Sequence, residues 1–455
     1  MPVFWEMIAF FAYFFLGARS LSLLIKKKWK FPRFTGKQII LSFLVIFLTG
    51  FFFFLILSEL LICAVLFDIF LLAFVSGVVF FVQLPTVAAK RYIINKAKKK
   101  RQAIRDLIVI GITGSCGKTS TKEILYHFLS QKYKVLKTEA NNNTEIGVAG
   151  AVLKKLNKNH QVFVVEMGAY RKGEIKAICD IVKPKIGILT AINNQHLALF
   201  GSQENIIKAK FELIESLPKN GLAVLNWQNR LVKKGFKKKS GLRVVKIGKD
   251  IWAENINAKK ESLSFKMVLG NGKSVNIKTK LAGRQNVENI LLASAGALEL
   301  GLGLREISKA CLGIKDVGIK ISKRDNFVVL DSSYSANQNG VMADLEYLNL
   351  YSGEKIIIMP SLIELGPISA EVHRKIGKKI GEICDLAIIT TKDYFSEILK
   401  GAVGSGMEKE NISYISDPGE IFKTINAIKK QKIILLEGRV PAKLKDYLLK
   451  KEYNN

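Results

Sequence analysis

Cysteine is scarce in this chain. Five stand in 455 residues (Cys63, Cys116, Cys179, Cys311 and Cys384), and no two are spaced as C-x-x-C. That pattern excludes a disulfide scaffold and a thiolate zinc centre and predicts a reduced, cytosolic setting for the folded part. No internal repeat or low-complexity tract stands out, so a solenoid is not expected. Acidic residues are also few, 38 against 70 lysines and arginines, for a formal net charge of +32. Such a balance suits nucleic acid, anionic lipid or a phosphorylated substrate and does not choose among them. Lysine is spread along the whole sequence beside much Ile and Asn, and no recognition motif accompanies it. No nucleic-acid partner is therefore expected.

Apolar runs are what the chain has in plenty at its front. One extends over 4–24, and a second, over 39–82, is broken mainly by Ser58-Glu59. Since a membrane helix needs about 20 residues, the pattern predicts three spans, at about 4–24, 39–57 and 60–82. Lys26, Lys27, Lys28, Lys30, Arg33 and Lys37 follow the first run instead of preceding it, so a cleaved signal peptide does not fit. Together with the basic stretch from Lys90 to Arg101 they predict cytoplasmic loops by the positive-inside rule. The expectation is a multi-pass protein of the bacterial cell membrane, in contact with membrane lipid, with its other domains in the cytoplasm.

After Arg105 the composition changes to short apolar strands alternating with amphipathic helices, which predicts an α/β fold with parallel sheets covered on both faces. Leu107–Ile112, Val135–Lys137, Val162–Glu166, Ile186–Leu189 and Leu222–Leu225 read as strands. Leu242–Ile247 and Leu263–Ile277, the latter turning at Asn271-Gly272, read as added antiparallel strands. The alternation restarts at Phe327, predicting a second, smaller doubly wound domain. Domains are expected at 1–105 (membrane region and basic linker), 106–315 and 316–455.

Val109 to Ser120 runs as an apolar strand, a glycine turn and a helix start, which is the layout of a phosphate-binding loop. Gly114 and Gly117, flanking Ser115 and Cys116, let backbone N–H groups of the loop turn toward an anion, Lys118 adds a positive charge, and Thr119, followed by Ser120, brings a hydroxyl suited to magnesium. Glu166 ends the strand Val162–Val165, where an open sheet keeps its site and a carboxylate can hold a metal. His196 stands in the polar loop Asn193-Asn194-Gln195. Lys210 stands on a helix with the apolar stripe Ile207, Phe211 and Ile214.

Taken together, Thr113 to Thr119, Asn142-Asn143-Thr144-Glu145-Ile146-Gly147, Glu166-Met167-Gly168, His196 and Ala209-Lys210 resemble the Mur ligase family, ATP-dependent amide ligases of peptidoglycan precursor synthesis. The likeness continues through Gly283 to Asn289, Asp331 to Asn337 and Glu364-Leu365-Gly366, and is strongest to the branch that adds D-alanyl-D-alanine. It implies a P-loop central domain and a Rossmann-like C-terminal domain behind the membrane region. Lys118 is then expected to grip the β- and γ-phosphates of ATP, with Thr119 and Glu166 on one magnesium ion. His196 is expected on a second ion beside Lys210 in its carbamylated form. The resemblance further assigns Asn286, Lys320, Asp331, Tyr334 and Asn337 to the nucleotide, and Asn142, Asn143 and Thr144 to substrate. It implies as partners a muropeptide carboxylate, UDP-linked or lipid-linked, and an amino-group donor, joined through an acyl phosphate. Another γ-linked or capsular peptide, or a nucleotide-binding scaffold without ligase activity, are the alternatives.

Several positions depart from the family pattern. Gln285 replaces a histidine, Lys320 an arginine, Ser332 an acid, Ser335 an asparagine and Gln338 a proline, while Glu437-Gly438-Arg439 replaces a Lys-Gly-Ser turn. The family's small domain for the uridine diphosphate group is missing from the front.

Overall fold

The computed structural model describes residues 43, 44, 47, 60–139, 142–314, 317–324, 326–333 and 337–449. The chain divides into a unit over Met1–Tyr92 and one over Ile93–Asn455.

The larger unit is built on two sheets. The first has nine strands in the order β2-β3-β1-β4-β5-β6-β7-β8-β9. In chain order these are β1 (Ile108–Thr113), β2 (Val135–Lys137), β3 (Val162–Glu166), β4 (Ile186–Leu189), β5 (Leu222–Asn226), β6 (Arg243–Ile247), β7 (Ile251–Lys259), β8 (Ser262–Leu269) and β9 (Ser274–Thr279). β1 to β6 pair parallel, β7 joins β6 in parallel at Ile247 and Ile251, and β7–β8 and β8–β9 pair antiparallel. The expected hairpin at Asn271-Gly272 joins β8 to β9. β6, expected to be antiparallel, instead runs parallel to β5: five residues with one polar-rich face carry no sign of strand direction, which the crossover from β5 decides.

Alternation along the inner strands explains why both faces are covered. Val109, Phe163, Val165 and Leu189 pack under the helices Glu145–Lys154, Glu174–Val182 and Gln203–Glu215. Ile110, Ile112, Val164 and Ile188 pack under Lys118–Leu129 and Asn286–Glu299 on the other face.

The second sheet has the order β10-β11-β15-β12-β13-β14. Its strands are β10 (Lys320–Lys323), β11 (Phe327–Ser332), β12 (Glu354–Met359), β13 (Leu386–Ile389), β14 (Ile412–Tyr414) and β15 (Lys432–Glu437), all parallel except β10. The helices Gln338–Leu348 and Ser369–Ile383 cover one face, and Pro418–Ala427 and Ala442–Leu449 the other.

The expected multi-pass membrane region is corrected. The span at 4–24 and nearly all of that at 39–57 lie outside the described residues. Among the described residues one helix, Leu60–Gln102, is apolar enough over a sufficient length to cross a bilayer, with a mean hydropathy of 1.3 in its window within Val75–Gln102. It does not stop at 82 to release a basic loop. It continues past Pro85 to Gln102, and in the larger unit Ile94 and Ala97 are buried in the core of the first sheet.

Two of the basic residues expected in a cytoplasmic loop, Lys100 and Arg101, serve the fold of the larger unit. Lys100 Nζ donates to the Leu153 carbonyl at 2.7 Å, and Arg101 donates to the carbonyls of Val182 (2.8 Å) and Ile104 (3.1 Å). Hydropathy and charge counts miss this because they register composition, whereas a long basic side chain can equally close the ends of neighbouring helices.

Candidate active site

β1 neighbours both β3 and β4, and the register pairs Ile112 with Glu166 and Thr113 with Leu189. The strand ends carrying the phosphate loop, Glu166 and the Thr190–His196 segment therefore meet at one edge, where the strand order reverses. Gly114 (φ +152°) and Gly117 (φ +77°) turn the loop. A Cβ on Gly114 would stand 1.9 Å from Thr190 Oγ1, and one on Gly117 would stand 2.6 Å from Asn289 Oδ1. Thr190 Oγ1 donates to the Cys116 carbonyl at 2.6 Å, and Ser115 N donates to the Ala191 carbonyl at 2.6 Å. The loop is held from behind, leaving its helix start, Lys118-Thr119-Ser120, at the edge.

Lys118 Nζ rests on the carbonyls of Gly114 (2.9 Å) and Ser115 (3.1 Å). Burial lowers its pKa, opposed by Glu166. Thr119 Oγ1 donates to Glu166 Oε2 at 3.0 Å, and Asn143 Nδ2 donates to Glu166 Oε1 at 3.2 Å. Lys122, one helical turn after Lys118 and 0 % exposed, reaches Glu166 Oε2 at 3.1 Å. Burial would raise the Glu166 carboxyl, but Lys122, Lys118 and the Asn143 amide hold it below the ordinary carboxylate range. Glu166 is thus a buried, ionised oxygen donor beside a hydroxyl.

His196 adopts a left-handed backbone (φ +63°), its Nδ1 bonds to Glu364 of the C-terminal domain, and its ring meets Tyr170 edge-on at 4.8 Å. Burial lowers its pKa and Lys210 and Lys118 add to that, against Glu364. An imidazole with Nδ1 engaged keeps Nε2 for a metal. Lys210 is 3 % exposed, and burial, with Lys118 nearby, lowers its pKa to about 7. Among the described residues no carboxylate forms an ion pair with it. Two lysines, a carboxylate and a histidine thus feel one another in a site suited to a polyphosphate and hard cations.

These observations match known proteins. Residues 112–297 match the Mur ligase middle domain, and residues 320–440 match the Mur ligase, glutamate ligase domain. The UDP-N-acetylmuramoyl-tripeptide--D-alanyl-D-alanine ligase of Escherichia coli is 31% identical over 344 residues, covering 73% of this chain and 72% of that protein. The chain belongs to the Mur ligase family.

The crystal structure of MurF from Acinetobacter baumannii superposes with a TM-score of 0.71 at 26% identity, covering 79% of each chain. MurF from Thermotoga maritima, solved in complex with ADP, shares the fold with a TM-score of 0.66 at 24% identity, covering 77% of this chain and 80% of that one. As a Mur ligase, the chain is an ATP-dependent, ADP-forming peptide ligase that uses magnesium.

Within the ligase, the remaining expected site residues fall into three groups. Asn143 is committed to Glu166, Asn142 N donates to the Glu139 carbonyl, and Thr144 caps the helix Glu145–Lys154. Asn286 is 2 % exposed, donates to the Ala282 carbonyl and accepts from Asn289 Nδ2. Asp331 is held by Lys445 at 3.0 Å and by Ser333. Burial would raise its carboxyl, but those partners keep it below the ordinary range. Asn337 caps Gln338–Leu348 and accepts from Asn193 Nδ2 at 3.3 Å. Lys320 is exposed on edge strand β10, in register with Asp331. Tyr334 lies outside the described residues.

Lys122 and Thr190 were not singled out in the sequence. A second lysine one turn beyond the phosphate lysine was the available signal for Lys122, since residues four apart share a helix face.

Glu166→Gln removes the only charge matched to Lys122 within 3.1 Å, leaving Glu123 at 3.4 Å. Urea denaturation is expected to show a loss of about 3 kcal/mol, the lower end for a broken buried pair. Because the folded Glu166 pKa is lowered, its contribution is present above the ordinary carboxylate value and is lost as pH falls through the folded one. The variant should lack that part of the acid limb in stability against pH, and an unchanged limb would refute the assignment.

Proposed function

We propose that the chain joins D-alanyl-D-alanine to a UDP-N-acetylmuramoyl-tripeptide, the reaction for which its Escherichia coli relative is named. A carboxylate oxygen of the tripeptide attacks the γ-phosphorus of ATP and displaces ADP. The dipeptide amine then attacks the acyl phosphate carbonyl, releasing phosphate and forming the amide. Lys118 binds the β- and γ-phosphates, stabilising charge that grows on the leaving bridge oxygen.

The hydroxyl and carboxylate oxygens of Thr119 and Glu166 fit magnesium, which prefers hard oxygen ligands. Thr119 and Glu166 would hold one ion, and His196 with Lys210 a second. Magnesium supplies charge neutralisation on the phosphates. Lys210 would serve as a ligand in carbamylated form: its neutral amine would add carbon dioxide, giving an N-carboxylate and releasing one proton. An amine whose pKa lies at about 7 is half neutral at physiological pH, and this supports the reading. The single observation that carries the proposal is the phosphate loop set against Glu166 at the strand ends, with Lys118 on the loop carbonyls and Thr119 Oγ1 3.0 Å from Glu166 Oε2.

The test is mass spectrometry of products, with ADP release followed alongside, after incubation with ATP, UDP-linked tripeptide and D-alanyl-D-alanine. Release that requires both the tripeptide and the dipeptide is expected, with the pentapeptide as product. Release with a different amine in a panel, and none with the dipeptide, would overturn the substrate assignment.

A further inference from the structure

Glu437 ends β15, the strand that lies between β11 and β12. It is 0 % exposed, and among the described residues no donor makes a well-formed hydrogen bond to either carboxyl oxygen, although the Ser332 hydroxyl and the Gly438 N–H lie close enough to favour its ionised form. An ionised carboxylate left in that state costs several kcal/mol. The group facing it is another carboxyl, Asp344 of helix Gln338–Leu348, itself 5 % exposed.

Asp344 is already engaged on both oxygens. Ser332 Oγ donates to Oδ2, and Gln285 Nε2 donates to Oδ1 at 3.4 Å. Ser332 is the register partner of Glu437 on β11, and Gln285 immediately precedes Asn286 at the start of a helix of the first sheet. Asp344 is therefore one of the places where the second sheet is tied to the central domain, beside the residue expected at the nucleotide. The other charged groups here, Asp331 and Lys445, pair with each other. Burial first and the facing carboxyl second push Glu437 well up, outweighing the Ser332 hydroxyl and the Gly438 N–H; burial also raises Asp344, against the hydrogen bonds from Ser332 and Glu437.

Gln285, Ser332 and Glu437 are also three of the positions that depart from the family pattern, where a histidine, an acid and a lysine stand.

We infer that Glu437 is a positioning residue of the ligase: carrying a proton at neutral pH, it donates its carboxyl O–H to Asp344 and holds Asp344 as the shared acceptor for Ser332 and Gln285. The inference rests on the ligase reading only in taking Asn286 as part of the nucleotide site. A carboxyl donating to a carboxylate makes a strong bond, whereas two ionised carboxyls in a dry pocket repel and break the tie.

The test is ATP affinity by calorimetry on the full chain between about pH 6 and pH 10, which needs no acceptor substrate. Failure of ligation thus stays separate from failure of this inference. The wild type should weaken about tenfold toward alkaline pH as the pair loses its proton. Glu437→Gln, whose amide donates in place of the carboxyl O–H, should not. Lys210 and His196 titrate in both proteins, so the difference isolates the pair.

Ser332→Asp, which adds a third carboxyl, should weaken binding by about tenfold, and adding Glu437→Lys should restore it to within about threefold. An alkaline weakening that persists in Glu437→Gln, or its absence from the wild type, overturns the inference. If Glu437→Gln does not fold, the double variant decides: no recovery over Ser332→Asp is the overturning result.

Discussion

Lys118→Ala is expected to lower the ligation rate by about 10²- to 10³-fold, the scale seen when one charged donor is removed from a transferring group. The side chain is poised for the role before any ligand arrives, because it rests on the Gly114 and Ser115 carbonyls at the helix start. Those carbonyls are weak partners for an ammonium whose pKa burial already lowers, so a triphosphate gains most of the ammonium's charge on binding. ATP affinity should fall with the rate, while thermal stability stays close to wild type, since no carboxylate is orphaned at an ion pair. Lys118→Arg should not restore activity, because a planar guanidinium cannot occupy the same point between two carbonyls. Steady-state kinetics with ADP detection reads all three. Normal turnover in Lys118→Ala would remove the phosphate loop from the mechanism.

Lys210→Ala is expected to be equally damaging, for a different reason. In the wild type a buried amine with a pKa of about 7 stands among Lys118 and His196, without a carboxylate of its own. As a plain lysine it adds repulsion against any metal, and as a carbamate it supplies the oxygen ligand that the site lacks. Alanine leaves a pocket that acetate or another short carboxylate can fill, so partial chemical rescue is expected. Lys210→Arg fills the pocket with a permanent cation and should not be rescued. Because the amine becomes protonated as pH falls through about 7, carbamate formation and activity should both decline below that value. Depleting carbon dioxide should deepen the decline, and added bicarbonate should reverse it. Full activity of Lys210→Ala in carbon-dioxide-free buffer would exclude the carbamate.

The chemistry of the site was legible where it depends on short runs. Gly114 to Thr119 had to be a turn into a helix, because glycines and a lysine stand directly after an apolar strand. Glu166 had to be a strand end, because four apolar residues precede it. His196 and Lys210 became informative only in the order of motifs that resembles a family, since a loop histidine and a helix lysine carry no signal alone. Lys122 and Thr190 escaped notice because their roles depend on partners 44 and 74 residues away.

The front of the chain shows where local reading fails. Apolar runs and basic flanks predict membrane spans. Among the described residues, however, the basic end of Leu60–Gln102 is a helix of the larger unit whose Ile94 and Ala97 enter its core. Composition registers the lysines and arginines of that end but not the two apolar residues among them that enter the core, while the apolar stretch before it leaves Phe80, Phe81 and Leu84 exposed.

By itself, then, the sequence determined the alternation of strands and helices and the presence of a phosphate loop, because both follow from periodicity and backbone chemistry within a dozen residues. Only the tertiary structure decided the direction of β6, the ionised state of Glu166, the neutral tendency of Lys210 and the meeting of Gln285, Ser332 and Glu437 at Asp344. Each of these depends on burial and on charges brought from distant parts of the chain. Electrostatic energy at a buried group is set by a few ångströms of separation and by the loss of water, and neither is encoded in any local stretch.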